Sequence, residues 1–121
     1  MSLFDQHWRL YTGDFSSVSP AALNDPASLE GLLARCLGAG DLVVTRWVHH
    51  RFEPQGVSLL GHGPRVRVVL HTWPEHEAAT LDLWLHGEGG QRILESCIAQ
   101  LPHAARAKAS MRADTSSVAG E

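Results

Sequence analysis

The segment Ala78-Ala79-Thr80-Leu81-Asp82-Leu83-Trp84-Leu85-His86 decides the fold class. In an extended chain Leu81, Leu83 and Leu85 point one way, while Asp82, Trp84 and His86 point the other. A period of two over this length marks a strand with one buried face and one wetter face. Upstream, Arg65 to His71 repeats the pattern, with Val66, Val68 and Leu70 on one face and Arg65, Arg67, Val69 and His71 on the other. Trp73, Pro74 and Glu75 turn the chain between these strands. Further upstream, Leu42 to His50 carries Val43, Val44, Trp47 and Val48, the branched and aromatic bulk of another strand. Pro54 to Gly56 interrupts it, Val57 to Leu60 resumes an extended run, and Gly61 to Pro64 is a break.

Two helical patterns flank these strands. Asp25 is placed to cap the first, with Pro26 at the opening position, where its missing N–H costs nothing. Leu29, Leu32, Leu33, Cys36 and Leu37 then form one apolar stripe, and Gly38 and Gly40 offer the left-handed residue that ends such a helix. After the loop containing Gly87, Gly89 and Gly90, a second stripe runs through Ile93, Leu94, Cys97, Ile98 and Leu101 and stops at Pro102. His7 to Tyr11 reads as a short first strand, followed by a polar, turn-rich stretch from Thr12 to Pro20. Ala105 to Asp114 reads as an edge strand. The pattern predicts an α+β, two-layer sandwich. Its antiparallel sheet has four or more strands, and helices near 26–38 and 91–101 cover one face. The domain is expected over 1–114, with a flexible tail over 115–121.

A chain of 121 residues with 44% hydrophobic content suits one core. Its formal net charge of −3 argues against nucleic acid or an anionic membrane as a partner. The apolar runs are too short to span a bilayer. Cys36 and Cys97 read as buried free thiols of a reducing compartment. The opening MSLFDQHWRL lacks the pattern of a secretory signal, so the expected location is the cytoplasm.

General catalytic motifs are absent: no GxGxxG, Walker A, CxxC or HExxH. Eight histidines are the unusual feature. None of them pairs at i, i+2, the spacing that would put two ligands on one strand face, and no metal site is expected. A repurposed enzyme could still draw on His71, His86, Asp82 and Glu75, with or without a metal.

Two further elements narrow the reading. They are His50-Arg51-Phe52-Glu53-Pro54-Gln55-Gly56-Val57-Ser58 and His71-Thr72-Trp73-Pro74-Glu75-His76. Together with Ala78 to Trp84 and Leu23-Asn24-Asp25-Pro26, they resemble the small prokaryotic S-adenosylmethionine decarboxylases of spermidine synthesis, over about residues 7 to 102. In that family a serine attacks the preceding peptide carbonyl, the ester breaks by β-elimination, and the serine becomes an N-terminal pyruvoyl group. That group serves as the electron sink for loss of CO2.

The resemblance places the processing histidine at His71, the auxiliary serine at Ser58 and the proton donor, a cysteine in the family, at His86. The pyruvoyl-forming serine should stand at position 66, which is Val66. The glutamate before it is replaced by Arg65, and the histidine after it by Arg67. No serine lies between Ser58 and Ser96. Valine has no hydroxyl, so the resemblance implies a divergent member without a pyruvoyl cofactor and without self-processing. Such a chain would be a ligand-binding or regulatory paralogue, with a functioning S-adenosylmethionine decarboxylase of polyamine synthesis as the other reading. The resemblance further implies a homodimer or a hetero-oligomer with an active paralogue. It also implies a small cationic or nucleoside ligand, such as S-adenosylmethionine, lined by Trp73, Glu75, His71 and His86.

Overall fold

The computed structural model describes residues 8–16 and 18–100, together with the backbone of 106–114. Its elements in chain order are β1 (Trp8–Ser16), α1 (Pro20–Leu23), α2 (Pro26–Ala39), β2 (Arg46–Arg51), β3 (Val57–His62) and β4 (Val66–Trp73). A 3-10 turn (Pro74–His76), β5 (Ala78–His86), α3 (Gly90–Gln100) and β6 (Arg106–Asp114) complete the order. The six strands form one sheet, β2-β3-β4-β5-β1-β6, and every neighbouring pair is antiparallel.

The alternation read in the sequence sets the layers. Leu81, Leu83 and Leu85 of β5 are buried, as are Val66, Val68 and Leu70 of β4 and Val57 and Leu59 of β3. These side chains meet Leu29, Leu32, Leu33, Cys36 and Leu37 of α2 and Leu94 and Cys97 of α3 in one core. The other sheet face carries Ser58, Leu60, His62, Arg67, His71, Trp73, Asp82, Trp84 and His86, all at least partly exposed.

Asp25 does cap α2: its carboxylate accepts from the Ser28 N–H at 3.3 Å and from the Ser28 hydroxyl at 2.7 Å. These bonds hold the Asp25 carboxyl below its ordinary value of 3.8. The left-handed residue after α2 is Asp41 (φ 60°), not Gly38 or Gly40. Gly40 instead lies against Ile93, where an added Cβ would come within 3.0 Å of its Cδ1.

The structure corrects the reading of the N-terminal segment. Thr12 to Ser16 is not a turn but the second half of β1, which lies between β5 and β6. Tyr11 and Phe15 face the core there, and Gly13 faces the same way, because a Cβ at that position would crowd Leu94 at 3.2 Å. The strand expected from Leu42 begins only at Arg46, and β3 runs on through Gly61 and His62, so the break narrows to 63–65. Gly61 belongs inside the strand because a side chain would collide with Trp47 and Val68. The short α1 had no expectation behind it. Leu101, Pro102 and the tail at 115–121 lie outside the described residues.

Candidate functional site

Ser58 on β3 and His71 on β4 are directly opposed in the ladder. Ser58 Oγ and His71 Nδ1 share a hydrogen bond of 2.7 Å on the sheet face away from the helices. His50 on β2 and Thr80 on β5 continue the same row. Around this pair opens a cleft of about 390 Å³ whose lining includes Phe52, Gln55, Ser58, His71, Trp73 and Glu75.

The walls of the cleft follow from local sequence. Pro74 starts the 3-10 turn that presents Glu75, and Glu77 closes it in the left-handed region (φ 52°). The loop from Phe52 to Gly56 contains a cis Glu53–Pro54 bond, and it closes on itself where the Phe52 N–H donates to the Gly56 carbonyl at 2.8 Å. Gly56 has φ 111°, a conformation that favours glycine. Its N–H donates to Asn24 Oδ1 at 3.0 Å, so the segment just before α2 holds the cleft loop in place.

Thr72, between His71 and Trp73, is the buried polar residue beneath the cleft. Its hydroxyl donates to the Leu23 carbonyl at 2.7 Å and accepts from the Val57 N–H at 2.9 Å. One side chain thus ties α1, β3 and β4 together behind the Ser58–His71 pair. Sequence reasoning had no use for it, because a single threonine in a strand carries no signal of the partners that burial gives it.

The expected site residues divide into two groups. Ser58, His71, Trp73 and Glu75 share the cleft. His86 does not join them. It lies at the far end of β5, where its ring is 5.7 Å from that of Trp8 and its backbone N–H donates to the Arg65 carbonyl at 2.9 Å. Thr80, not His86, is the β5 partner of His71. Six residues of strand between Thr80 and His86 correspond to roughly 20 Å. Asp82 stands between them, opposite Val69. Among the described residues no group of three His, Cys, Asp or Glu side chains is placed to hold a metal.

Val66 is 0% exposed and pairs with Leu85. Its side chain faces the helices, on the opposite side of β4 from His71. Five residues of strand put the two positions roughly 17 Å apart. The Arg65–Val66 junction is tied on both sides: the Arg65 carbonyl accepts from His86, and the Val66 carbonyl accepts from the Gly63 N–H at 2.9 Å. Cys36 and Cys97 are buried and free, and burial, reinforced by the neighbouring Cys36, pushes the Cys97 thiol well above its ordinary range. Such a thiol is a poor nucleophile.

Comparison with known proteins follows the same architecture. The family model for S-adenosylmethionine decarboxylase matches residues 9–112. The S-adenosylmethionine decarboxylase proenzyme of Prochlorococcus marinus is 34% identical over 68 residues, covering 56% of this chain and 54% of that protein. The proenzyme of Parasynechococcus marenigrum is 32% identical over 69 residues, covering 57% and 54%. The chain thus spans about half the length of these relatives. The proenzyme of Pyrococcus abyssi is 26% identical over 110 residues, covering 86% of this chain and 79% of that one. Among solved structures, the adenosylmethionine decarboxylase from Aquifex aeolicus superposes with a TM-score of 0.78. It is 21% identical and covers 88% of this chain and 89% of that one, a likeness of fold.

Proposed function

From the premise that the chain belongs to the S-adenosylmethionine decarboxylase family, we propose that it is a member that does not self-process and binds a small ligand in the Ser58–His71 cleft. The observation that carries this reading is Val66. It stands where the resemblance puts the pyruvoyl-forming serine, has no hydroxyl, and is packed on the helix side of the sheet. The residues present do not fit a pyruvoyl group, because no hydroxyl stands at position 66 to become one.

What the chain retains is binding apparatus. Trp73, 42% exposed, offers an indole face at the cleft, and Glu75 offers a carboxylate. That pairing suits a cationic ligand with a flat ring, S-adenosylmethionine among them. The Ser58–His71 hydrogen bond orients the imidazole at the cleft wall. Membership in the family supports a role in polyamine synthesis, as a homodimer or beside an active paralogue, in the cytoplasm. Light scattering reads the first of these.

The test is the intact mass of the purified chain, before and after hydroxylamine, together with release of labelled CO2 from carboxyl-labelled S-adenosylmethionine. One species of 13.2 kDa and no CO2 are expected. Retention of the Ser58–His71 pair favours a second reading, a working decarboxylase with another electron sink. Labelled CO2 from an uncleaved chain would establish it. His71 and His86 share the open face of the sheet but lie roughly 20 Å apart along it, which weighs against a repurposed centre that uses His71, Glu75, Asp82 and His86 together.

A further inference from the structure

The two cysteines take no part in the cleft, and they lie together on the other side of the sheet. Cys36 is 2% exposed on α2 and Cys97 is 1% exposed on α3, in one apolar cluster with Leu33, Leu37 and Leu94. The Cys36 thiol is near enough to be a hydrogen-bond partner of the Cys97 thiol. The sequence contains no other cysteine.

A second contact between the same two helices defines how they cross. Gly40, which caps α2, lies against Ile93 of α3, where an added Cβ would be 3.0 Å from its Cδ1. One turn back along α2 from Gly40 is Cys36, and one turn forward along α3 from Ile93 is Cys97. The helices therefore run antiparallel at this crossing, with the cysteines facing each other one turn from the glycine. With no side chain at Gly40 the two backbones come close there. Helix axes about 8–10 Å apart, each with its Cα atoms at a radius of about 2.3 Å, bring facing Cα atoms to the roughly 4.4–6.8 Å that a disulfide spans.

Two small apolar side chains would fill this space equally well; what a pair of thiols adds is its redox chemistry. Among the described residues no charged side chain is buried, so neither thiol has the cationic neighbour that activates a catalytic cysteine. The pair is thus unsuited to rapid turnover. The same seclusion keeps bulky thiol reagents out and would shield a bond once formed.

We propose that Cys36 and Cys97 are a redox modification site, at which hydrogen peroxide converts the two thiols of the folded chain into a disulfide that joins α2 to α3. One thiolate attacks a peroxide oxygen, the O–O bond breaks, and the sulfur becomes a sulfenic acid while the other oxygen leaves as water. The second thiol attacks that sulfur, the S–O bond breaks, and the hydroxyl leaves with a proton as a second water. Two thiols are oxidised to one disulfide, and one peroxide is reduced to two waters. The neighbouring thiol intercepts the sulfenic acid before a second peroxide can carry it further. The bond closes a loop of about 60 residues and restrains the helix layer against the sheet, the more so because α2 and α3 are far apart in the chain.

The full reduced chain is exposed to hydrogen peroxide at neutral pH under native conditions for up to a day, quenched, alkylated with N-ethylmaleimide in guanidinium and weighed intact. The expected product is a monomer two hydrogen atoms lighter than the reduced chain, with no maleimide attached, and dithiothreitol returns it to a doubly alkylated form. With two cysteines in the chain, such a monomer can hold only the Cys36–Cys97 bond. The oxidised chain is expected to melt about 5 °C or more above the reduced one. Cys36→Ser, whose fold is checked by circular dichroism, should show neither the mass loss nor the rise in melting temperature. Thiols that are both still alkylated after a day overturn the proposal, as do added oxygen atoms in place of the cross-link or a covalent dimer as the main product. An oxidised monomer that melts below the reduced chain overturns it too, since the bond would then form only by distorting the helix crossing.

Discussion

Ser58 and His71 meet across β3 and β4 with Oγ and Nδ1 2.7 Å apart, and the strand that carries His71 turns Val66 to the opposite face. The pair and the position it would serve in a self-processing relative are thus on different sides of one sheet. Within this chain the hydrogen bond has a structural consequence that can be measured. Removing it singly or doubly (Ser58→Ala, His71→Ala and both) should give a coupling of about 0.5–1.5 kcal/mol in urea unfolding. A coupling near zero would mean that the bond is not maintained in solution.

Thr72 is the more consequential hydroxyl. Thr72→Val keeps the shape of the side chain but leaves the Leu23 carbonyl and the Val57 N–H without their partner in the core. A loss of about 1–3 kcal/mol in unfolding free energy is expected. Thr72→Ser, which keeps the hydroxyl, should cost less. If Thr72→Val were as stable as wild type, the three-way tie behind the cleft would not hold.

Much of this arrangement can be read from local pattern, and the parts that cannot share one cause. The buried leucines and valines of β4 and β5 follow from alternation, and α2 follows from its cap and stripe. Thr12, Gly13 and Asp14 look like a turn because the context that makes them a strand lies elsewhere in the chain: Leu94 requires the glycine, and β5 and β6 supply partners on both sides. The cleft was legible because Phe52 to Ser58 and His71 to Glu75 each contribute a contiguous piece. The separation of His86 from His71 was not, because it depends on the pairing register of β4 with β5, which no local spacing encodes.

Asp25 gives a pH dependence of known sign. Its carboxyl is held below the ordinary value of 3.8, chiefly by the Ser28 hydroxyl and then by the Ser28 N–H. A group with a lowered folded value stabilises the fold above that ordinary value and ceases to do so as pH falls through the folded value. Asp25→Asn keeps an acceptor for the helix N-terminus and removes the titration. In denaturant unfolding between neutral pH and pH ~2, the variant should lose less stability than wild type on the acid side. Identical acid limbs would show that Asp25 contributes nothing to them.

Val66→Ser restores the atom that self-processing needs at that position and tests whether the atom is sufficient. The residue faces the helix side of the sheet among Val68, Leu83 and Leu85, so the new hydroxyl enters an apolar layer and not the Ser58–His71 cleft. Burying an unpartnered hydroxyl costs about 1–3 kcal/mol, and the smaller side chain leaves part of the valine's volume empty. The Arg65 carbonyl that the hydroxyl would have to attack is already bonded to the His86 N–H, and Pro64 fixes a dihedral just before it. The variant is therefore expected to melt lower than wild type and to remain a single uncleaved species after days at neutral pH. Restoring glutamate at Arg65 and histidine at Arg67 as well supplies the groups that flank the serine in the family, and Ser58 and His71 are already in place, so that triple variant has the better prospect of cleavage. Prompt appearance of two fragments from Val66→Ser alone, the smaller, beginning at residue 66, with a blocked N-terminus, would show that the strand around 66 rearranges to meet His71, and would return this chain to the self-processing members of its family by one substitution.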